Sequence, residues 1–269
     1  MELFTDFFQF DFMKRAFAAV LVITPLLGIL GTMVVHKRMA YFSDALGHSA
    51  LTGIAIGVIF GVNNTDLSMI VFAVLFALFL NQISRRALAA TDTIISVFAS
   101  ASTAVGLAVL SMGGNFGRYS AILVGDILSI TEREILYLLG IFAVTLVFWS
   151  VAVNALNAIS IHPSLARSRN MHVRLMEDIF AVLIALIVML SIKWVGILLI
   201  NALLILPAAS SRNISENMRE YHCYSVIFSL FSGLVGLFVS YYTNVATGPM
   251  IVIVASVIYF ATYLYGKNK

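Results

Sequence analysis

A single cysteine in 269 residues, Cys223, excludes an intrachain disulfide and a paired-thiolate metal site. It is read as a buried apolar thiol. Charge is scarce too: Asp, Glu, Lys and Arg make up 11% of the chain against 61% hydrophobic residues, and the mean hydropathy is +1.01. Only four prolines interrupt the apolar runs, and no polar stretch is large enough for a separate soluble domain. Residues 1–269 are therefore expected to form one integral membrane domain. The formal net charge of +3 comes from bases clustered in short loops, where they set topology, so no nucleic-acid partner is expected. The chain contains neither G-x-x-x-x-G-K-[ST] nor H-E-x-x-H, which argues against ATP hydrolysis or zinc-peptidase chemistry by this chain. The opening MELFTDFFQFDFMKR places acids and aromatics before its first basic pair, the wrong order for a cleaved secretory signal, so the first helix is expected to be retained.

What is present is hydrophobic length. A spanning window gives helices near 14–35, 40–61, 67–83, 94–112, 134–158, 177–193, 195–210, 223–242 and 247–266. The fold class is an all-α polytopic membrane bundle of eight to nine transmembrane helices. His36-Lys37-Arg38, Arg85-Arg86, Arg167/Arg169/Arg174, Arg212/Arg219 and Lys267/Lys269 fall in alternate loops, and the opposite loops are nearly free of Lys and Arg. This places the N-terminus outside and the C-terminus in the cytoplasm, with Lys14-Arg15 voting against it. No internal repeat is visible.

Within this apolar frame, residues 42–51, FSDALGHSAL, carry Asp44 and His48 four residues apart. With Ala40 at the membrane boundary, His48 lies about 12 Å deeper, near the bilayer midplane. Helical spacing stacks Asp44, His48 and Thr52 into a polar ridge beside a small-residue ridge of Ala45, Ser49, Gly53, Gly57 and Gly61. A carboxylate at that depth costs roughly 2.5–3.5 kcal/mol on insertion scales, so it needs a cavity, a partner or an ion. Two readings are open from the residues alone. In one, Asp44 pairs with a cytoplasmic base such as Lys37 and His48 hydrogen-bonds across a helix interface. In the other, Asp44 and His48 are metal ligands, and two copies facing each other supply four, enough for zinc in a tetrahedron or manganese with added waters.

The segment VHKRMAYFSDALGHSALTGIAIG, residues 35–57, resembles that of metal-ion ABC importer permeases, in which a basic turn precedes Ser-Asp-x-x-x-His-x-x-x-x-Gly. Residues 160–176, SIHPSLARSRNMHVRLM, are similar to the cytoplasmic coupling loop of that family, and residues 193–214, KWVGILLINALLILPAASSRNI, to its Val-Gly-x-Leu-Leu…Leu-Pro-Ala-Ala…Arg helix. TGPMIVIV, residues 247–254, resembles the opening of its final helix, although the preceding turn carries Thr243 and Asn244 where the family usually has an acid. The resemblance is nearest to the zinc-uptake permeases. It implies an ATP-driven, binding-protein-dependent importer of divalent transition metals, zinc first, with manganese and iron as alternatives. This chain would be a permease subunit with no catalytic site and no permanently bound cofactor. Its implied partners are a second copy of itself, cytoplasmic ATPase subunits, an extracytoplasmic metal-binding protein and the lipids of a bacterial cytoplasmic (inner) membrane.

On that likeness Asp44 and His48 are the metal ligands, and Pro163, Leu165, Ala166 and Arg167 couple to the ATPase. Pro163 suits the first position of a short helix whose Leu165 and Ala166 form an apolar edge among arginines. A rival class, the ion-gradient-driven secondary metal transporter, also uses intramembrane Asp and His and needs no ATPase. A membrane metalloenzyme would need a nucleophile or base beside a closed ligand set, and no such cluster is found. Residues 120–130 are too short to cross and are expected either as a brief outer interfacial helix or as an extension of the next span. Pro25 and Pro207 are expected to bend their helices, Trp194 to anchor at the outer interface, and Asn154, Asn157 and Asn201 to bond between helices.

Overall fold

The computed structural model describes residues 7–62, 64–85, 91–112, 125–161, 166, 168 and 171–267. Among them are eight helices long and apolar enough to cross a membrane. These are α1 (Asp11–His36), α2 (Ala40–Ile59), α3 (Thr65–Ser84), α4 (Thr91–Met112), α5 (Glu132–Ile161), α6 (Val173–Ile214), α7 (Met218–Thr243) and α8 (Thr247–Gly266). Local chemistry sets several starts. Asn64 accepts from the backbone N–H of Asp66 and Leu67 at α3. Thr131 donates its backbone N–H to the Glu134 carboxylate at α5, and Asn217 accepts from the Glu220 N–H at α7; each satisfies donors that a helix start leaves open.

The 42 residues of α6 amount to about 63 Å of helix contour, twice a hydrocarbon core of about 30 Å. It is interrupted at Gly196, where φ is 77° and ψ 158°, a conformation open essentially to glycine alone. The break falls at the start of the sequence window 195–210, just after the window 177–193, so two of the nine expected helices are one interrupted element here. Gly125 (φ 67°) touches the same place: a Cβ there would land on the Gly196 backbone. Gly196→Ala is expected to destabilise the chain by about 1–3 kcal/mol, lowering its thermal midpoint in detergent by several degrees. An unchanged midpoint would show that the break tolerates a side chain.

The described residues cluster into two compact units. The first comprises Met1–Val35, Gly125–Thr145 and Trp194–Lys269. Here α7 lies antiparallel on α1 through a ladder of hydroxyls. Ser229 Oγ donates to the Thr24 carbonyl (2.6 Å), Ser225 Oγ to Gly28 (2.7 Å) and Tyr221 Oη to Thr32 (3.1 Å). Bonds of this kind average about 0.6 kcal/mol in membranes, so close packing of small residues contributes most of the attraction. Cys223 corrects the sequence expectation, being exposed. The buried face of α7 follows Tyr221, Ser225, Ser229, Ser232 and Gly236, and position 223 points away from it. Trp194 is buried. Residues 125–130 hold only a one-turn 3-10 helix, Ile127–Ser129, capped by Asp126, and the extended Ile130 separates it from α5. α5 therefore does not extend back into them; residues 120–124 lie outside the described residues.

The second unit comprises His36–Val124 and Leu146–Lys193. In it α3 and the first half of α6 run antiparallel, tied at both ends: Lys193 Nζ meets Asp66 at 3.0 Å, and Asn81 Nδ2 meets Asp178 at 2.7 Å. Fifteen residues separate the two tie points on each helix, so the helices keep one register over about 22 Å. Helix α2 lies against both α3 and α4 and is the most enclosed element of this unit after α6.

Candidate functional site

Helix α2 is held by its small residues. Ala45, Ser49, Gly53 and Gly57 are buried, as the ridge predicted from the sequence requires. A Cβ on Gly53 would come within 2.9 Å of the Met69 Cα, and Ser68 Oγ donates to the Gly53 carbonyl. Gly61 falls outside the helix, in a turn with φ 65°. On the α4 side, Gly106 faces Thr52 so closely that a Cβ would sit 2.6 Å from the Thr52 nitrogen. Thr52 donates to the Ser102 carbonyl and accepts from Ser102 Oγ at 3.1 Å. The polar ridge is thus covered by α4 at Thr52.

One and two turns earlier it is open. His48 Nε2 lies 3.5 Å from Asp44 Oδ1, and their side chains are 46% and 45% exposed on a helix whose neighbouring positions are almost all buried. Half-exposure of an acid and an imidazole mid-helix is what a cavity or a facing subunit would use, and what lipid would penalise. Two ligands leave a metal's shell incomplete, and no cluster of three or more His, Cys, Asp or Glu occurs among the described residues. A closed site therefore has to draw ligands from beyond these residues.

Lys37 does not partner Asp44. Its Nζ lies 3.4 Å from Glu177 Oε1 and 5.9 Å from the centre of the Phe180 ring, and its side chain is only 8% exposed. Burial pulls the lysine below its ordinary pKa, opposed by the neighbouring Glu177 carboxylate. Sequence reasoning missed this partner. Its signal was the acidic pair Glu177-Asp178 opening an apolar span across from Arg85.

Of the coupling residues, Ala166 is buried against Ile159 and Val173, with Met171 and Met176 around them. It faces inward, into this apolar cluster. Pro163, Leu165 and Arg167 lie outside the described residues. Asn244 has a physical reason to replace an acid: it ends α7 in the left-handed conformation (φ 53°, ψ 35°), which Asn tolerates, and its N–H donates to the Ser240 carbonyl. Asn154 is exposed and Asn157 half-buried, while Pro25 and Pro207 lie inside continuous helices.

Comparison with known proteins agrees with this architecture. The High-affinity zinc uptake system membrane protein ZnuB of Haemophilus influenzae is 30% identical over 267 residues, covering 97% of this chain and 100% of that protein. The Manganese import system permease protein ScaB of Streptococcus parasanguinis is 26% identical over 97% of this chain and 94% of its own. Among solved structures, PsaBC from Streptococcus pneumoniae in complex with Fab superposes with a TM-score of 0.83 at 26% identity, over 97% of this chain and 94% of that one. The description "ABC 3 transport family" matches residues 9–266, and the chain belongs to that family.

Proposed function

We propose that this chain is the transmembrane permease subunit of an ATP-driven, binding-protein-dependent importer of divalent transition-metal ions in a bacterial cytoplasmic (inner) membrane. Zinc is the first-choice cargo and manganese or iron fit the same ligand types. The observation that carries the reading is the Asp44–His48 pair, 3.5 Å apart and half exposed on an otherwise enclosed helix. A second copy facing it would complete a four-ligand oxygen and nitrogen site, from which the ion must also be able to leave. Relatives named for zinc and manganese transport support the cargo class. An extracytoplasmic protein delivers the metal, two cytoplasmic ATPase subunits engage residues 160–176, and their motion opens the site alternately to either side. Pro163, Leu165 and Arg167 form the docking edge of that segment, and Ala166 anchors it.

The experiment is radioactive zinc uptake into proteoliposomes holding the permease with its ATPase and binding protein. Uptake is expected to require hydrolysable ATP and to stop when the ATPase is inactivated. Uptake that continued on a proton or sodium gradient alone would favour a secondary transporter instead.

A further inference from the structure

Three separate chain segments of the second unit meet in one ionic cluster, in which Lys37 is buried and Arg85, Glu177 and Asp178 are a quarter to a third exposed. Lys37 stands three residues before α2 begins, Asn81 and Arg85 close α3, and Arg174, Glu177 and Asp178 belong to the first two turns of α6. Glu177 divides its two oxygens, Oε1 to Lys37 at 3.4 Å and Oε2 to Arg85 Nε at 3.3 Å. Arg85 Nη2 donates to Asp178 Oδ1 at 2.6 Å and to the Arg174 carbonyl at 3.2 Å, and Asn81 Nδ2 donates to the same Asp178 oxygen. Helix α6 is the element that leaves residues 160–176, and α2 is the element that carries Asp44 and His48.

We infer that Glu177 and Arg85, together with Lys37, Asn81 and Asp178, are positioning residues that carry movement of residues 160–176 to the helix bearing Asp44 and His48. Parting Glu177 from Lys37 would strand the buried ammonium, so a shift of the first turns of α6 draws Lys37 with it, and Arg85 follows through its bonds to Glu177, Asp178 and the Arg174 carbonyl. The Asp66–Lys193 pair at the far end of α3 keeps α3 and the first half of α6 moving together. The contacts of Gly53 with Met69 and of Gly57 with Ser68 pass that motion to α2. The inference rests on residues 160–176 being the segment that the ATPase moves.

The test uses the full transporter in proteoliposomes and reads zinc ions transported per ATP hydrolysed, alongside zinc binding by calorimetry. Glu177→Gln is expected to lower that ratio about tenfold, with zinc affinity and subunit assembly unchanged, and Arg85→Lys, which keeps the charge, to retain most of it. If Glu177→Gln alone fails to fold, the double variant Lys37→Met with Glu177→Gln removes both charges of that pair, leaves no buried ammonium unpaired, and must show the same loss. An unchanged ratio in a folded neutral variant overturns the inference. The site reading fails separately: normal transport by Asp44→Asn would dismiss the metal ligands while leaving the loss of coupling in Glu177→Gln intact.

Discussion

Replacing His48 with Ala is expected to reduce zinc uptake by at least about a hundredfold while leaving the assembled transporter intact. Loss of an outer partner of a metal ligand already lowers affinity or activity by about 10–100-fold, and this change removes a ligand itself. In a paired arrangement it removes one from each copy, two of four. Stability gives no competing explanation. The His48 side chain is half exposed in the single chain, so its truncation leaves no enclosed cavity there of the kind that makes core substitutions costly. Asp44→Asn keeps an oxygen ligand and removes the charge, so it should reduce uptake strongly but less completely. Removing that charge also relieves part of the roughly 2.5–3.5 kcal/mol insertion cost of an Asp, so an Asp44→Asn chain that inserts worse than the parent would contradict the placement of this carboxylate. Metal uptake and copurification of the ATPase subunits are the two readouts.

Arg167→Glu and Leu165→Ser are expected to separate ATP hydrolysis from transport, lowering uptake about tenfold or more while the ATPase continues to turn over. Ala166 between them is buried against Ile159 and Val173. A basic residue turned acidic in a cytoplasmic loop also weakens the positive-inside bias, so the control is the chain's orientation, read by protease accessibility of the C-terminus. Correct orientation with normal ATPase activity and lost uptake is the expected combination. Parallel loss of hydrolysis and uptake would instead point to failed assembly.

Hydrophobic length made most of the fold legible, because a spanning helix must satisfy every backbone group internally and advertises itself as an uninterrupted apolar run. The windows at 177–193 and 195–210 part at Trp194, two residues before the break at Gly196, because Lys193 interrupts the apolar run there. The small-residue ridge of α2 was legible for the same reason: a period near four in Ala45, Ser49, Gly53 and Gly57 has one use in a bilayer, which is close helix approach. Partners were not legible. Lys37 lies seven residues from Asp44 in sequence but meets Glu177, 140 residues away, and nothing local distinguishes the two carboxylates. Cys223 was misplaced because α7 is apolar on all sides, and its serine stripe, not its hydrophobicity, decides which face is buried. Residues 120–130 were expected as a helix; in their described part, 125–130, Gly125 at φ 67° and the Asp126 cap leave room for one 3-10 turn only.

The most direct test of metal passage between Asp44 and His48 is zinc K-edge X-ray absorption on the assembled transporter loaded with zinc. The spectrum should show imidazole nitrogens and carboxylate oxygens at about 2.0–2.2 Å with no sulfur, and the imidazole scattering should disappear in His48→Ala. An imidazole signal that survives in that variant would place the ion elsewhere and contradict the site.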